Sequence, residues 1–486
     1  MGEGGVERPA AASRPRLGVL LVTSGWFREV GLQGAVSDTT RDVEDAGAAL
    51  VQKLNAFSDP VCDGVVFSPA EAEAAARHML AERVDGVLLV PLMWCEDAIP
   101  RAALGLLAGL PLVLWTWSPA PSLPEFVPFQ LMIQGSGPVC TMQLSGMLRR
   151  EGIPYLSVAG HARDPEVLRE IEWAARAMAV RRVLRGARVG LLPFPCEHMS
   201  STWVDEMGLR TRYGTEVTHL ELDRVRRAAA DLSEVEIRQF RAQLQRGGAR
   251  VEVDARNLEE GIRYAVAMQR LVAEERLDAL AMNDVISQMH ASFGLRPCLA
   301  NPSLSDGGAV VSMEGDVAAA VAMLALRRFT GESPFYAEPF SVDYAGGTLL
   351  MGHAGYHDVG NADPAVPVRV VADVEYENSD RFTGAVTLFK YRPGPVTAVN
   401  STWDNGRLRW CCVEGESVPG PARMEGNCHL VFRPSLPVRE FCARAVQAGV
   451  SQHWVFVPGH RAREMRFLCG ILQVGFLRLD GGPAMA

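Results

Sequence analysis

The sequence predicts an α/β protein in which two doubly wound, Rossmann-like α/β domains precede a mixed, largely antiparallel and barrel-like β domain. Apolar runs such as LGVLLVTSG and DGVLLVPLMW alternate with helical stretches, as buried parallel strands do. The same alternation begins again at ARVGLLPFP, which starts with Ala187. Beyond Gly346, short alternating strands and turn signals such as Asp404-Asn-Gly replace the helical periodicity, which favours antiparallel pairing.

The length of the chain sets the domain organisation. With 486 residues it exceeds what one hydrophobic core usually organises. We expect a flexible tail at 1–16, an N-terminal α/β domain at 17–170 and a central α/β domain at 171–340. A C-terminal β-rich domain is expected at 341–486.

Charge and cysteine usage exclude several classes of function. The net charge of -9 offers no basic face for a phosphate backbone, so we expect no nucleic-acid partner. The ten cysteines form no CxxC pair, which is typical of a reduced, cytoplasmic protein. No apolar run reaches the length of a membrane span, and the first sixteen residues lack the apolar core of a signal peptide.

Two candidate substrate contacts lie in the N-terminal α/β region. Ligands of open parallel sheets sit outside the carboxyl ends of the strands, where Trp94 follows a predicted strand. Trp94 therefore either stacks on a sugar or packs in the core or a subunit interface. The segment Gln134-Gly-Ser-Gly137 is expected to be a loop that joins a strand to an apolar helix. It is either a plain turn, a loop in which Gln134 contacts a polyol, or a nucleotide-binding loop, although it lacks the GxGxxG spacing.

The stretch from Asn301 to Gly360 carries the strongest chemical signal. Glu314 follows one predicted strand, Glu338 ends an extended run and His353 follows another strand. Two carboxylates and an imidazole can bind one hard divalent cation and leave a carboxylate oxygen free to move a proton. Asp316 is expected to cap the helix that starts after it, because an acid there meets the positive end of the helix dipole.

Several ordered motifs resemble the L-fucose/L-arabinose isomerase superfamily, in its broad fucose-isomerase-like branch. They span roughly residues 130 to 460, and they are GHARDPEV, PCLANPSLSDGGAVVSMEGDVAAAVAML, FYAEPFSVD, LLMGHAG, LFKYRPGPVT and PVREFCARAVQAGVSQHW. The resemblance implies a metal-dependent aldose-ketose isomerase. It also implies a homo-oligomer, often a hexamer, that takes a small-molecule sugar.

The resemblance assigns a role to each candidate residue. Glu314 and Glu338 would be metal ligands and the catalytic acid/base pair, while His353 and His453 would be imidazole ligands. Gln452 stands where the family often has a second histidine, and it is a candidate substrate contact. The ion is expected to be Mn²⁺, or another divalent cation such as Co²⁺ or Mg²⁺.

The expected reaction moves a carbonyl between C1 and C2 of a sugar or sugar derivative through a cis-enediol. Two other functions stay open: a sugar-binding or sensing protein without catalysis, and a metal-dependent epimerase or aldolase. Each site residue also has a structural alternative: a helix-start acid for Glu314, a surface acid for Glu338, a core histidine for His353 and a surface histidine for His453. Three further histidines are expected to be structural: His357, His429 and His460.

Overall fold

The computed structural model describes residues 14–31, 39–300, 307–376 and 383–481. This part of the chain divides into two compact units. The first, here called the N-terminal unit, holds residues 14–182 together with Arg463–Gln473. The second, the C-terminal unit, holds Val183–Ala462 together with residues 474–481. The domain limits expected from the sequence remain predictions.

The N-terminal unit is built on a parallel sheet flanked by helices. Its strands are β1 (Arg16–Val22), β2 (Asp59–Val61), β3 (Val65–Val66), β4 (Gly86–Pro91), β5 (Leu112–Ser118) and β6 (Leu156–His161). Its helices are α1 (Trp26–Gly31), α2 (Thr39–Leu54), α3 (Pro69–Ala81), α4 (Ala98–Leu106), α5 (Phe129–Gln134), α6 (Gly137–Arg150) and α7 (Pro165–Leu184). The strand order is β2-β1-β4-β5-β6, and β3 also pairs with β1. β1 and β4 are buried almost throughout, which explains their unbroken apolar sequences.

The C-terminal unit begins with a second parallel sheet, in the order β11-β10-β7-β8. Its strands are β7 (Arg188–Leu192), β8 (Glu216–His219), β10 (Ala279–Met282) and β11 (Val310–Met313). The accompanying helices are α8 (Glu206–Tyr213), α9 (Leu222–Ala230), α10 (Glu234–Arg246), α11 (Ala255–Glu274), α12 (Ser287–Phe293) and α13 (Val317–Thr330). α13 is buried along almost its whole length, so it lies inside the unit and not on its surface.

The rest of the C-terminal unit is largely antiparallel. Its strands are β9 (Arg250–Val251), β12 (Phe335–Asp343), β13 (Thr348–His353), β14 (Arg369–Ala372), β15 (Ala385–Leu388), β16 (Gly394–Asp404), β17 (Arg407–Ser417), β18 (Cys428–Pro434), β19 (Trp454–Pro458) and β20 (Gly475–Arg478). Two helices complete the chain, α14 (Val438–Gln447) and α15 (Ala462–Leu472), the latter lying almost entirely in the N-terminal unit. The larger sheet runs β16-β19-β12-β13-β18-β17-β20, and β16 also pairs with β17. A small sheet has the order β15-β14-β9.

The mixed α/β class with parallel sheets and a separate, largely antiparallel sheet is therefore confirmed, while three local expectations need correction. Gln134 is the last residue of helix α5 and does not lie in a loop after a strand. Glu338 lies inside β12 and not at its end, because pairing with β13 continues past a bulge between Pro339 and Ser341. Of the expected tail 1–16, residues 1–13 lie outside the described part, and Arg16 begins β1.

None of the described helices is both long enough and apolar enough to span a membrane.

Candidate metal centre

Four side chains in the C-terminal unit form one cluster of carboxylates and imidazoles. Glu314, Glu338, His353 and His453 each offer a ligand atom, and these atoms all lie within 4.8 Å of one another. We call this set the acid–imidazole cluster. Glu314, His353 and His453 are buried, and Glu338 is half-buried.

Strand pairing brings three of these residues close to one another. β12 lies between β13 and β19, with Glu338 opposite Gly352 and Ala337 opposite Trp454. His353 directly follows Gly352, and His453 directly precedes Trp454. The three residues therefore lie in β12, at the end of β13 and directly before β19, although Glu338 and His453 are 115 positions apart in the sequence.

Glu314 comes from the carboxyl end of β11 in the parallel sheet. Its backbone adopts a left-handed conformation, with φ of 59°. For a residue other than glycine this conformation costs on the order of 1–3 kcal/mol. Gly315 follows with φ of 69°, and a Cβ at that position would lie 2.9 Å from Phe194 O and from Pro195 Cα. This tight turn directs the Glu314 side chain toward His353 and His453.

Both imidazoles are held through Nδ1, so that Nε2 faces Glu314. His453 Nδ1 donates to Asp316 Oδ2 at 2.8 Å, and its Nε2 lies 3.0 Å from Glu314 Oε2. His353 Nδ1 donates to the carbonyl of Ala354 at 2.7 Å. A metal-binding histidine typically has its second ring nitrogen anchored in this way.

The ring nitrogen Nε2 of His353 is the atom of the cluster best suited to bind a cation. Within the described residues it is buried and makes no hydrogen bond. Burial, helped by the charge of His453, lowers the pKa of His353 to about 3. The 3.7 Å contact between His353 Nε2 and Glu314 Oε1 is therefore not an ion pair, since the imidazole is neutral. A neutral ring with a free nitrogen lone pair is the form that binds a cation.

The pKa values of Glu338 and Glu314 are shifted in opposite directions. Burial, and then the charge of Glu314, raises the pKa of Glu338 to about 7. Burial also acts to raise the pKa of Glu314, but the hydrogen bond and charge of His453 outweigh it and lower that pKa. For His453 the burial penalty is outweighed by hydrogen bonds to Asp316 and Glu314, which raise its pKa to about 9. Without a cation, a protonated His453 thus compensates the carboxylates of Glu314 and Asp316.

Asp316 has a role that sequence reasoning missed. It caps α13 as expected, because its Oδ1 accepts a hydrogen bond from the backbone N–H of Ala319 at 2.8 Å. Its Oδ2 is the partner of His453, so one carboxylate both starts the helix and orients an imidazole. The capping role alone explained the residue in the sequence, which left no signal for the second contact.

The predicted substrate contacts lie in different places. Gln452 Nε2 lies 3.3 Å from Glu314 Oε2, beside the acid–imidazole cluster. Gln134 and Trp94 belong to the N-terminal unit, where their side chains donate to Asp42 Oδ2 and Gln143 Oε1. Trp94 is only partly buried.

The three histidines expected to be structural all bond to backbone groups. His357 Nε2 donates to His353 O, and His460 Nε2 donates to Gly415 O. His429 Nε2 accepts from the backbone N–H of Arg423, while its Nδ1 donates to Asn427 O. Each ring therefore has a backbone partner, as a structural histidine does.

The fold and the cluster define a mixed α/β protein with a candidate centre for a divalent metal ion. The donor set fits such an ion, because two carboxylates and two anchored imidazoles converge and one imidazole nitrogen has no other partner.

Comparison with known proteins points to sugar isomerases. The chain is similar to the sulfoquinovose isomerases of Priestia aryabhattai and Priestia megaterium (strain ATCC 12872 / QMB1551). Each is 23% identical over 271 residues, which is 54% of this chain and 58% of the relative. The match thus spans little more than half the length of these relatives. No protein-family model matches the chain.

Proposed function

We propose that the protein is a metal-dependent aldose-ketose isomerase of a sugar or sugar derivative. The observation that carries this proposal is the acid–imidazole cluster, with both Nδ1 atoms anchored and His353 Nε2 left without a hydrogen-bond partner among the described residues. The weak similarity to sulfoquinovose isomerases supports the same class of reaction.

The cluster suits a transition-metal ion better than calcium. Imidazole nitrogens together with carboxylate oxygens favour ions such as Mn²⁺, whereas Ca²⁺ prefers oxygen ligands alone. We propose Mn²⁺, with Co²⁺ or Mg²⁺ as alternatives, held by Glu314, Glu338, His353 and His453. When bound, the ion would act as a Lewis acid that favours proton loss from a carbon next to a carbonyl group.

Side chains of the protein would carry out the proton transfer. Aldose-ketose isomerisation through a cis-enediol needs a group that takes a proton from one carbon and a group that returns one to its neighbour. Glu314 and Glu338 are the two carboxylates of the cluster, and we propose that they form this pair without assigning the direction. We also propose that Gln452, whose Nε2 lies 3.3 Å from Glu314 Oε2, contacts the substrate.

Sulfoquinovose is the substrate named for the relatives, so a sulfonated sugar is one candidate among aldoses and ketoses. We further propose a homo-oligomer in the cytoplasm, hexameric by family resemblance, in which Trp94 and Gln134 contact the sugar.

A substrate screen tests the proposal. Purified protein with Mn²⁺ is incubated with aldoses and ketoses, sulfoquinovose included, in D₂O. An isomerase converts an aldose into its ketose, and when its proton exchanges with solvent the product carries deuterium at the carbon that gained it. Binding of sugar without any conversion would favour a sensor, and a product with inverted stereochemistry or a cleaved chain would favour an epimerase or aldolase.

A further inference from the structure

Asp284 is a buried acid that sequence reasoning left without a role. It follows β10, the strand that pairs with β11, and only 1% of its surface is exposed. Its Oδ2 makes no hydrogen bond within the described residues. A carboxylate buried this deeply is costly unless its neighbours compensate its charge.

One neighbour of Asp284 is the backbone of Glu314. The Glu314 N–H donates to Asp284 Oδ1 at 3.1 Å. Two further backbone bonds hold the same turn: Gly315 N–H donates to Met282 O at 3.0 Å, and Cys196 N–H donates to Glu314 O at 3.3 Å. Ser312 Oγ also holds this turn, by donating to Asp316 O at 2.7 Å. Asp284 differs in that its side chain bonds the residue whose φ of 59° is unfavourable.

The other neighbour is Arg296, whose positive charge lies beside Asp284 without a hydrogen bond between them. Its Nη1 lies 3.8 Å from Asp284 Oδ2. The same guanidinium binds Asp373 through two hydrogen bonds of 2.8 and 2.9 Å, and its Nη1 also donates to Glu375 at 2.7 Å. Only 4% of Arg296 is exposed, so its guanidinium group cannot rotate into solvent.

We infer that Asp284, held by Arg296, is a positioning residue that keeps Glu314 in its left-handed conformation and so sets the affinity of the acid–imidazole cluster for its metal ion. This inference rests on the proposed function. The physical reason is preorganisation: a turn that has to be re-formed on binding lowers the affinity, and loss of a group that orients a ligand typically weakens metal binding about 10- to 100-fold.

The test compares Asp284→Ala, Asp284→Asn and wild-type protein after the metal has been stripped. Mn²⁺ affinity is measured by electron paramagnetic resonance of the free ion. We expect Asp284→Ala to bind Mn²⁺ at least about tenfold more weakly. Asp284→Asn keeps an oxygen that can accept the Glu314 N–H, so it should recover most of that loss.

The matched control is Asp363→Ala. Asp363 is a buried acid of the same unit, paired with Lys390 at 3.0 Å and not with the cluster. This substitution should lower the thermal stability yet leave the Mn²⁺ affinity within twofold of wild type. If Asp363→Ala weakens Mn²⁺ binding as much as Asp284→Ala does, the effect is general destabilisation and the inference is wrong.

A second readout does not depend on metal. Hydrogen exchange of the metal-free protein, followed by mass spectrometry of peptides that contain Glu314, should be faster in Asp284→Ala than in wild type. Unchanged exchange together with unchanged Mn²⁺ affinity would overturn the inference. If wild-type protein binds no divalent ion, the proposed function fails, and the exchange rate alone decides whether Asp284 positions Glu314.

Arg296→Lys keeps the inference testable if Asp284→Ala does not fold. Lysine retains the charge but cannot reproduce the two-pronged contact with Asp373. We expect Mn²⁺ binding at least about threefold weaker, since Asp284 is then less firmly held. An affinity within twofold of wild type would show that Arg296 has no part in the positioning.

Discussion

The carboxyl edges of the two parallel sheets differ in what their polar side chains bind. At the edge of the N-terminal unit, Ser24 Oγ donates to Glu96 Oε1 at 2.8 Å, and Gln143 accepts from Trp94 Nε1 and donates to Asp97. These groups satisfy one another. At the edge of the C-terminal unit, Glu314 points at two anchored imidazoles, and His353 Nε2 has no such partner among the described residues. A buried polar atom without a partner also occurs at the N-terminal edge, at Thr23 Oγ1 among the described residues. What distinguishes the C-terminal edge is thus the convergence of two carboxylates and two imidazoles.

The largest expected effect is a loss of turnover that occurs on substitution at one edge and not at the other. Glu314→Gln should lower turnover by about 10³-fold while the fold survives, because an amide cannot take up the proton. The same change at the other edge, Glu96→Gln, keeps an oxygen that can accept the Ser24 hydroxyl and should leave turnover within about twofold. Turnover is measured on the sugar that the screen identifies, with circular dichroism to confirm folding. A comparable loss in Glu96→Gln would remove the distinction between the edges.

The next effect concerns the turn that carries Glu314. Gly315→Ala should destabilise the protein by about 2–4 kcal/mol, because alanine at φ of 69° is strained and its Cβ meets Phe194 O and Pro195 Cα at 2.9 Å. The matched control is Gly105→Ala in α4, where a Cβ has open space. This control should be neutral or stabilising by up to about 1 kcal/mol. Urea unfolding measures both, and equal effects would show that the turn is not constrained.

A somewhat smaller effect is expected from the ion itself. Mn²⁺ at 100 times its dissociation constant should stabilise the folded protein by about 2.7 kcal/mol, visible as a higher melting temperature. His353→Asn should abolish most of this shift, since it removes the imidazole whose Nε2 is unpartnered in the described part of the chain. His460→Asn, which alters a ring bound to Gly415 O, should retain it. A shift that persists in His353→Asn would place the ion elsewhere.

The smallest effect lies at the edge of the N-terminal unit and depends on pH. Burial acts to raise the pKa of Glu71, but the Phe67 N–H and Arg28 outweigh it and lower that pKa below its usual 4.5. The stabilisation from Glu71 is therefore fully present above pH 4.5 and lost as the pH falls through the lower pKa of the folded state.

Glu71→Gln tests this sign. Because the Glu71 side chain is 40% exposed and screened by solvent, we expect a loss of at most about 1 kcal/mol at pH 7. The difference from wild type should shrink as the pH is lowered below 4.5. Chemical unfolding measures the free energy of unfolding of both proteins across this pH range. A difference in that free energy that does not change with pH would contradict a structural role for ionised Glu71.

Sequence reasoning reached the four cluster residues from strand ends and ordered motifs, and the structure brings all four together. It failed where local pattern gave no information on partners. Glu338 was expected at a strand end, but pairing with β13 continues beyond it. Asp284 carried no motif, and its bond to the Glu314 backbone depends on β10 and β11 lying side by side.

By itself, the sequence determined the alternation of buried strands and helices, the change to antiparallel strands after Gly346 and the kinds of ligand atom available. These properties follow from local periodicity and side-chain chemistry, which each segment carries with it. The tertiary structure alone decided which partners meet. Asp316 and His453, 137 residues apart, pair across the C-terminal unit, and Glu314 meets the same imidazole from 139 residues away. Such contacts depend on long-range packing, because no local pattern records which distant residue will lie opposite.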